Sequence, residues 1–89
     1  MFFHILNLVM YMEKYQRIRD LREDNDKTQR EVGEAINVPQ RTYAYYESGE
    51  RMIPPRVLIA LAAYHGTSVD YLLGLTDKKE PYPKAKQHT

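Results

Sequence analysis

The length of one connection restricts the fold of this chain more than any other feature. Two segments of helical character, TQREVGEAI and PQRTYAYYES, are separated only by Asn37 and Val38. Asparagine tolerates the left-handed conformation that ends a helix, and the fixed φ of Pro39 suits the first turn of the next helix. A tight turn into a second short helix that is rich in hydrogen-bonding side chains predicts a helix-turn-helix unit.

Apolar spacing and helix-end signals predict five helices and no strand. The clearest start is Thr28-Gln29-Arg30-Glu31, a capping box in which the Thr28 hydroxyl and the Glu31 carboxylate each accept a hydrogen bond from a free backbone amide. Gly49 is expected in the left-handed position that ends the third helix. The predicted helices span about 15–25, 28–37, 39–48, 54–66 and 67–74. The residues expected to face inward are Ile18, Leu21, Val32, Ala35, Ile36, Val57, Leu58, Leu61 and Ala62.

Length and composition favour one small domain located in the cytoplasm. The chain has 89 residues, which suits a single compact core. It contains no cysteine, which excludes a disulfide framework and thiolate metal sites and fits the cytoplasm, where we expect the protein. The formal charge is only +1, so any contact with a nucleic acid must come from local clusters of basic residues.

The two ends of the chain differ in character from its middle. Residues 1–11 are the most apolar segment, but they are too short to span a bilayer and lack a basic leader, so no membrane association is expected. Two interpretations of this segment carry equal weight: an upstream extension before Met12, or an apolar arm that packs on the domain or on a second subunit. Residues 12–77 are expected to form the domain, and residues 78–89, rich in Lys and Pro, a solvated tail.

Three segments carry a resemblance to a known family. IRDLRED, TQREVGEAINVPQRTYAYYESGERMIP and VLIALAAYHGTSVDYLLGLTD closely resemble the Cro and phage-repressor type of helix-turn-helix domain, the XRE family, over roughly Gln16 to Asp77. The resemblance implies an all-α, five-helix lambda-repressor-like fold whose third helix lies in the major groove of DNA. It further implies a transcriptional regulator, expected to be a repressor, that binds a double-stranded DNA operator as a homodimer.

The resemblance assigns base contacts to the outward side of the third helix. Gln40, Arg41, Ala44 and Tyr45 match the outward positions of the family's recognition helix. Arg41 can donate two hydrogen bonds to guanine O6 and N7, and Gln40 can pair with adenine N6 and N7. Both side chains could instead hold phosphates, and for Arg41 this alternative carries nearly equal weight. Tyr45 could touch a thymine methyl group, a sugar or a phosphate.

Phosphate contacts are implied at other matched positions. Gln29 matches a glutamine that in relatives binds a phosphate and braces the recognition helix, and free amides at a helix start favour an anion there. Ser48 and Arg51 match the loop that touches the DNA backbone after the recognition helix. Arg22 and Glu47 match a partly buried ion pair, and Arg22 can also face a phosphate.

Some positions depart from the family pattern or fill another role. Gly33 stands where alanine is usual, and Pro39 replaces the common Ser or Thr and so removes a side-chain cap. Tyr43 and Tyr46 match inward positions and are expected in the core. The weaker phosphate candidates Lys27 and Arg17 are interpreted as ordinary solvated charges.

Catalysis finds no support in the sequence. His4, His65 and His88 are scattered, and no His, Cys or carboxylate cluster has metal-ligand spacing, so neither a metal, a cofactor nor a small-molecule substrate is expected. His65 is expected at the end of the fourth helix. The rival to DNA binding is a protein-interaction or antitoxin-like module on the same fold, suggested by the apolar segment 1–11 and the tyrosine-rich third helix.

Overall fold

The computed structural model describes residues 15–86, and within that range the chain forms five helices and no strand. The helices are α1 (Gln16–Asp24), α2 (Gln29–Ala35), α3 (Gln40–Ser48), α4 (Pro55–His65) and α5 (Val69–Leu72). This confirms the predicted all-α fold. The segment 1–11, with its two open interpretations, lies outside the described residues, as do His4 and His88.

Local interactions explain where α2 and α5 begin and where α3 ends. The Glu31 amide donates to the Thr28 hydroxyl over 3.0 Å, and the Thr28 amide donates to the Glu31 carboxylate over 2.9 Å. Both halves of the predicted capping box are therefore present. At α5, the Ser68 hydroxyl accepts from the Tyr71 amide over 3.0 Å. Gly49 ends α3 with φ of 84°, in the left-handed region where glycine is favoured.

The turn between α2 and α3 requires a very small residue on α2. Asn37 adopts the predicted left-handed conformation, with φ of 59°, and the Val38 amide donates to the Gly33 carbonyl oxygen over 2.8 Å. A Cβ atom at position 33 would lie 2.7 Å from the Val38 carbonyl oxygen, closer than such atoms approach without a backbone shift. Glycine in place of the family's alanine therefore permits this particular turn.

Five fully buried side chains form the centre of the core, and they come from all five helices. They are Tyr43, Ile18, Leu61, Leu72 and Val32. α2 packs on α3, α4 packs on α5, and α1 contacts both α3 and α5. A core of this kind places α3 with one side against the rest of the domain and the other side accessible.

Most of the residues predicted to face inward do so. Ile18, Leu21, Val32, Val57, Leu61 and Ala62 are buried, while Ile36 and Leu58 pack partly buried against them. The prediction for Ala35 is wrong, because Ala35 is exposed. On a helix of 3.6 residues per turn, Val32 and Ile36 share a face with Gly33, which is buried, and Ala35 lies to the side of that face.

Candidate nucleic-acid interface

The two faces of α3 carry different kinds of side chain. Tyr43 and Tyr46 are buried in the core, as predicted. Gln40 and Arg41 are exposed, and Ala44 and Tyr45 are partly exposed. Gln40, Arg41, Ala44 and Tyr45 therefore share the accessible side of α3.

Gln40 and Arg41 are available for external partners. Neither side chain forms a hydrogen bond or an ion pair with another residue in the part of the chain that the structure describes. An arginine carries five N–H donors in a planar fork, and a glutamine amide carries two donors and an acceptor. The first turn of α3 thus presents unused donors beside each other, on a helix that two buried tyrosines hold in place.

Tyr45 and Arg51 contact each other. The guanidinium carbon of Arg51 lies 4.7 Å from the centroid of the Tyr45 ring, within the range of a cation–π interaction. The backbone amide of Arg51 also donates to the Tyr45 carbonyl oxygen over 3.3 Å. The sequence analysis assigned Tyr45 and Arg51 separate contacts with DNA. In the structure, the loop after α3 folds back onto the helix and brings the two residues together.

Ser48 is engaged within the turn that ends α3. Its hydroxyl lies 3.1 Å from the Tyr45 carbonyl oxygen and 3.1 Å from a Glu50 carboxylate oxygen, with geometry to donate to either. The Glu50 amide donates back to the same hydroxyl over 3.4 Å. A carboxylate beside Ser48 repels phosphate, so a phosphate contact by this hydroxyl would require both the serine and Glu50 to rearrange.

A buried carboxylate joins α1 to the end of α3. Two nitrogens of the Arg22 guanidinium, Nε and Nη2, each lie 2.8 Å from an oxygen of Glu47, so the pair is bidentate. The Glu47 side chain is fully buried and that of Arg22 is 13% exposed. Arg22 Nη1 also donates to the Lys27 carbonyl oxygen over 2.9 Å, which attaches the loop before α2 to the same arginine.

Two further donors reach the same carboxylate. Arg19 Nε lies 3.4 Å and Gln29 Nε2 lies 3.3 Å from Oε1 of Glu47. Gln29, matched by the family resemblance to a phosphate contact, is thus tied to the ion pair at the start of α2. Arg19 was missed by the sequence reasoning, although its three-residue spacing from Arg22 places both on one side of α1. The Glu23 carboxylate also lies 3.8 Å from Arg22 Nη2, so two carboxylates balance the two arginines of this cluster.

The cluster holds its charges across the physiological pH range. Burial disfavours the ionised Glu47 carboxyl. The hydrogen bonds from Arg22, with smaller contributions from the nearby Tyr43 hydroxyl dipole and from the Gln29 hydrogen bond, outweigh burial and lower the pKa from 4.5 to about 2. Burial and, to a lesser extent, the adjacent Glu47 carboxylate raise the pKa of Tyr43 above its usual range. The Tyr43 hydroxyl lies beside Glu47 but has no partner in good hydrogen-bond geometry within residues 15–86.

Arg17 is not a solvated charge, and that interpretation is wrong. Its Nη1 donates to the Tyr71 carbonyl oxygen over 3.0 Å and to the Thr76 carbonyl oxygen, and its Nη2 lies 2.7 Å from Asp77 Oδ1. The guanidinium carbon also lies 4.2 Å from the centroid of the Tyr71 ring. Arg17 therefore attaches α1 to α5 and to the segment after it. Lys27, in contrast, is exposed as expected.

Residues 15–86 show no metal-binding cluster and no membrane-spanning helix. No group of three or more His, Cys, Asp or Glu side chains there is placed to hold a metal ion. None of the described helices is long and apolar enough to cross a membrane. His65 lies in the last turn of α4, as predicted. Burial and, to a lesser extent, the positive charge of Lys79 lower its pKa, which favours the uncharged ring.

The sequence profile of the helix-turn-helix family matches residues 18–72, from within α1 to the end of α5. Together with the α2–turn–α3 geometry, this match shows that the chain belongs to the helix-turn-helix family, in its XRE branch of Cro and phage-repressor type, a class of DNA-binding regulators.

Similarity to a particular protein points the same way. Over 71 residues the chain is 37% identical to YobD of Bacillus subtilis (strain 168), named as an uncharacterized HTH-type transcriptional regulator. The matched region covers 80% of this chain and 63% of that relative, so the chain spans less than two thirds of the relative's length. No solved structure matches the chain significantly.

Proposed function

We propose that this protein is a sequence-specific regulator of transcription that inserts α3 into the major groove of double-stranded DNA. The observation that carries the proposal is the accessible side of α3, where the donors of Gln40 and Arg41 are unused by the described fold. Major-groove base edges present the acceptors that such side chains recognise, which include guanine O6 and N7 for arginine and adenine N7 for glutamine. Ala44, farther along the same side, is small enough to let the helix approach the bases.

Phosphate binding is assigned to the residues that flank α3. Gln29 stands at the start of α2 beside the buried ion pair, and Arg51 lies exposed after the end of α3. Arg22 is paired with Glu47 and largely buried, so it contributes little to phosphate binding, whereas the neighbouring Arg19 is 46% exposed and can face the DNA backbone. Ser48 contributes the least, because its hydroxyl is used in the turn next to Glu50. These contacts position the protein and carry no sequence information.

The regulator acts as a homodimer and as a repressor in this proposal. A single α3 reads only a few base pairs, and proteins of this geometry reach useful specificity by binding two half-sites about one helical turn apart. A dimer bound over a promoter blocks polymerase without any further activity, so repression needs no enzymatic function, cofactor or small-molecule substrate.

Selection from randomised duplexes, followed by fluorescence anisotropy over a range of salt concentrations, tests the proposal. We expect an enriched motif with two-fold symmetry and an affinity that falls steeply with salt. Arg41→Ala and Gln40→Ala should each relax the preference at one base pair and weaken binding to the selected site by about 1–3 kcal/mol. Arg30→Ala serves as the charge-matched control, since Arg30 is exposed and paired with Glu34 on α2.

Two results would count against this function. If selection enriches no motif and no salt-sensitive binding is found at low ionic strength, the protein does not recognise DNA. Unchanged function in Arg41→Ala and Gln40→Ala, together with loss of function on deletion of residues 1–11, would favour the protein-interaction module instead.

A further inference from the structure

Tyr45 and Arg51 form one structural unit on the outward side of α3. The Arg51 guanidinium carbon lies 4.7 Å from the centre of the Tyr45 ring. The Arg51 backbone is fastened to the same residue, because its amide donates to the Tyr45 carbonyl oxygen over 3.3 Å. The Ser48 hydroxyl approaches that carbonyl oxygen to 3.1 Å and closes the turn between them. Both the side chain and the main chain of Arg51 thus contact Tyr45.

The Arg51 guanidinium covers one face of the Tyr45 ring. A ring face occupied by a guanidinium is not free to pack on a thymine methyl group or on a sugar. The guanidinium, in contrast, keeps its edge donors: the Arg51 side chain makes no hydrogen bond or ion pair with any residue in the described range 15–86. Arg51 is exposed, whereas Tyr45 is partly buried, so the arginine is the outer member of the pair.

We propose that Tyr45 is a positioning residue, which holds Arg51 in place to bind a DNA phosphate at the edge of the major groove, and that Tyr45 does not itself read a base. The inference rests on the proposed function and changes the role of one residue within it. An arginine side chain loses much rotational freedom when it binds a phosphate, and a side chain already stacked on a ring has less freedom to lose. The aromatic ring carries this role, and the tyrosine hydroxyl does not.

The test uses the selected duplex and four variants: Tyr45→Phe, Tyr45→Leu, Arg51→Ala and the double variant Tyr45→Leu/Arg51→Ala. Tyr45→Phe keeps the ring and should bind like the wild type. Tyr45→Leu should weaken binding about 2- to 5-fold, the range that corresponds to a cation–π contact at an exposed site. Arg51→Ala should weaken binding further and reduce the slope of log K against log salt by about one. The double variant should bind no worse than Arg51→Ala alone.

Two readouts distinguish positioning from a general structural role. The motif selected by Tyr45→Leu should be identical to that of the wild type, because no base contact has been removed. In the free protein, the side-chain protons of Arg51 should show an upfield ring-current shift in NMR spectra, present in the wild type and Tyr45→Phe and absent in Tyr45→Leu. Unfolding curves of all four variants establish that the fold is retained.

Several outcomes would overturn the inference. A changed motif for Tyr45→Leu would make Tyr45 a base reader. Additive losses in the double variant, or absence of the ring-current shift, would mean that the two side chains act independently. If the wild type bound no DNA in a salt-sensitive manner, the proposed function would fail and this inference with it, and that result is distinguishable because it appears before any variant is made.

Discussion

Replacement of the buried carboxylate by its uncharged analogue, Glu47→Gln, is the sharpest test of what holds α1 against α3. Glutamine has nearly the same size, so packing is preserved while the negative charge is removed. Arg22, which is only 13% exposed, would then lose the ionic partner of its bidentate contact, and Arg19 would lose the same partner at 3.4 Å. The cost of the variant is therefore mainly electrostatic.

Two independent arguments give the same size for this cost. The fall of the Glu47 pKa from 4.5 to about 2 corresponds to about 3 kcal/mol of folding free energy at neutral pH. Removal of one partner from a buried ion pair generally costs about 3–5 kcal/mol. For a domain of this size, a loss of about 3 kcal/mol lowers the midpoint of thermal unfolding by about 12–24 °C.

The pH dependence follows from the direction of the pKa change. The folded carboxyl has a pKa below its unfolded value, so its contribution is complete well above pH 4.5 and disappears as the pH falls through about 2. The difference between wild type and Glu47→Gln should be about 3 kcal/mol at pH 7 and roughly half of that at pH 3. Urea unfolding followed by circular dichroism at the two pH values measures both differences.

A matched control is available on α2. Glu34 forms an (i, i+4) ion pair with Arg30 over 3.0 Å, but its side chain is 67% exposed. Glu34→Gln should therefore cost no more than about 0.5 kcal/mol. Equal losses for Glu34→Gln and Glu47→Gln, or a Glu47→Gln loss that does not shrink at pH 3, would refute the reasoning. If Glu47→Gln does not fold, Arg22→Lys keeps the charge, gives up the bidentate contact and should show a smaller loss.

Three further variants test the turn, the helix start and the C-terminal attachment by urea unfolding. Gly33→Ala should destabilise the domain by about 1 kcal/mol or more, since strain against the Val38 carbonyl oxygen exceeds the gain in helix propensity; a stabilised variant would show that the turn relaxes freely. Thr28→Ala should cost about 0.5–2 kcal/mol, and an unchanged midpoint would mean that the capping box contributes nothing. Arg17→Lys should cost about 1 kcal/mol and speed amide exchange after α5, because lysine cannot serve both the Tyr71 carbonyl oxygen and the neighbouring acceptors; wild-type exchange would contradict this.

The helices and their ends were predictable because the signals for them are local. A capping box spans four residues, a left-handed residue ends a helix by its own backbone preference, and apolar spacing of three or four residues indicates which side is buried. Tyr43 and Tyr46, three positions apart and matched to inward positions of the family, were assigned to the core and are buried. The same local rules placed Ala35 in the core, but Ala35 is exposed and Gly33 is buried. The reason is the close approach of the turn to Gly33, which the spacing of apolar residues does not indicate.

The partners of long polar side chains were decided by the tertiary structure. Arg17 reaches Thr76 and Asp77, about sixty positions farther along the chain, and Arg19 reaches Glu47 across 28 positions. No spacing rule covers such distances, because the partner depends on how the helices close around the core. The pairing of Tyr45 with Arg51 likewise needed the loop to fold back. The sequence alone thus predicted this protein's helices, most of its core residues, its family and the pairing of Arg22 with Glu47. Only the tertiary structure showed that Arg19 joins this pair and that Arg17 is held at α5. It also decided that the donors of Gln40 and Arg41 remain unused in the described range, because each of these outcomes depends on how distant segments close around the core.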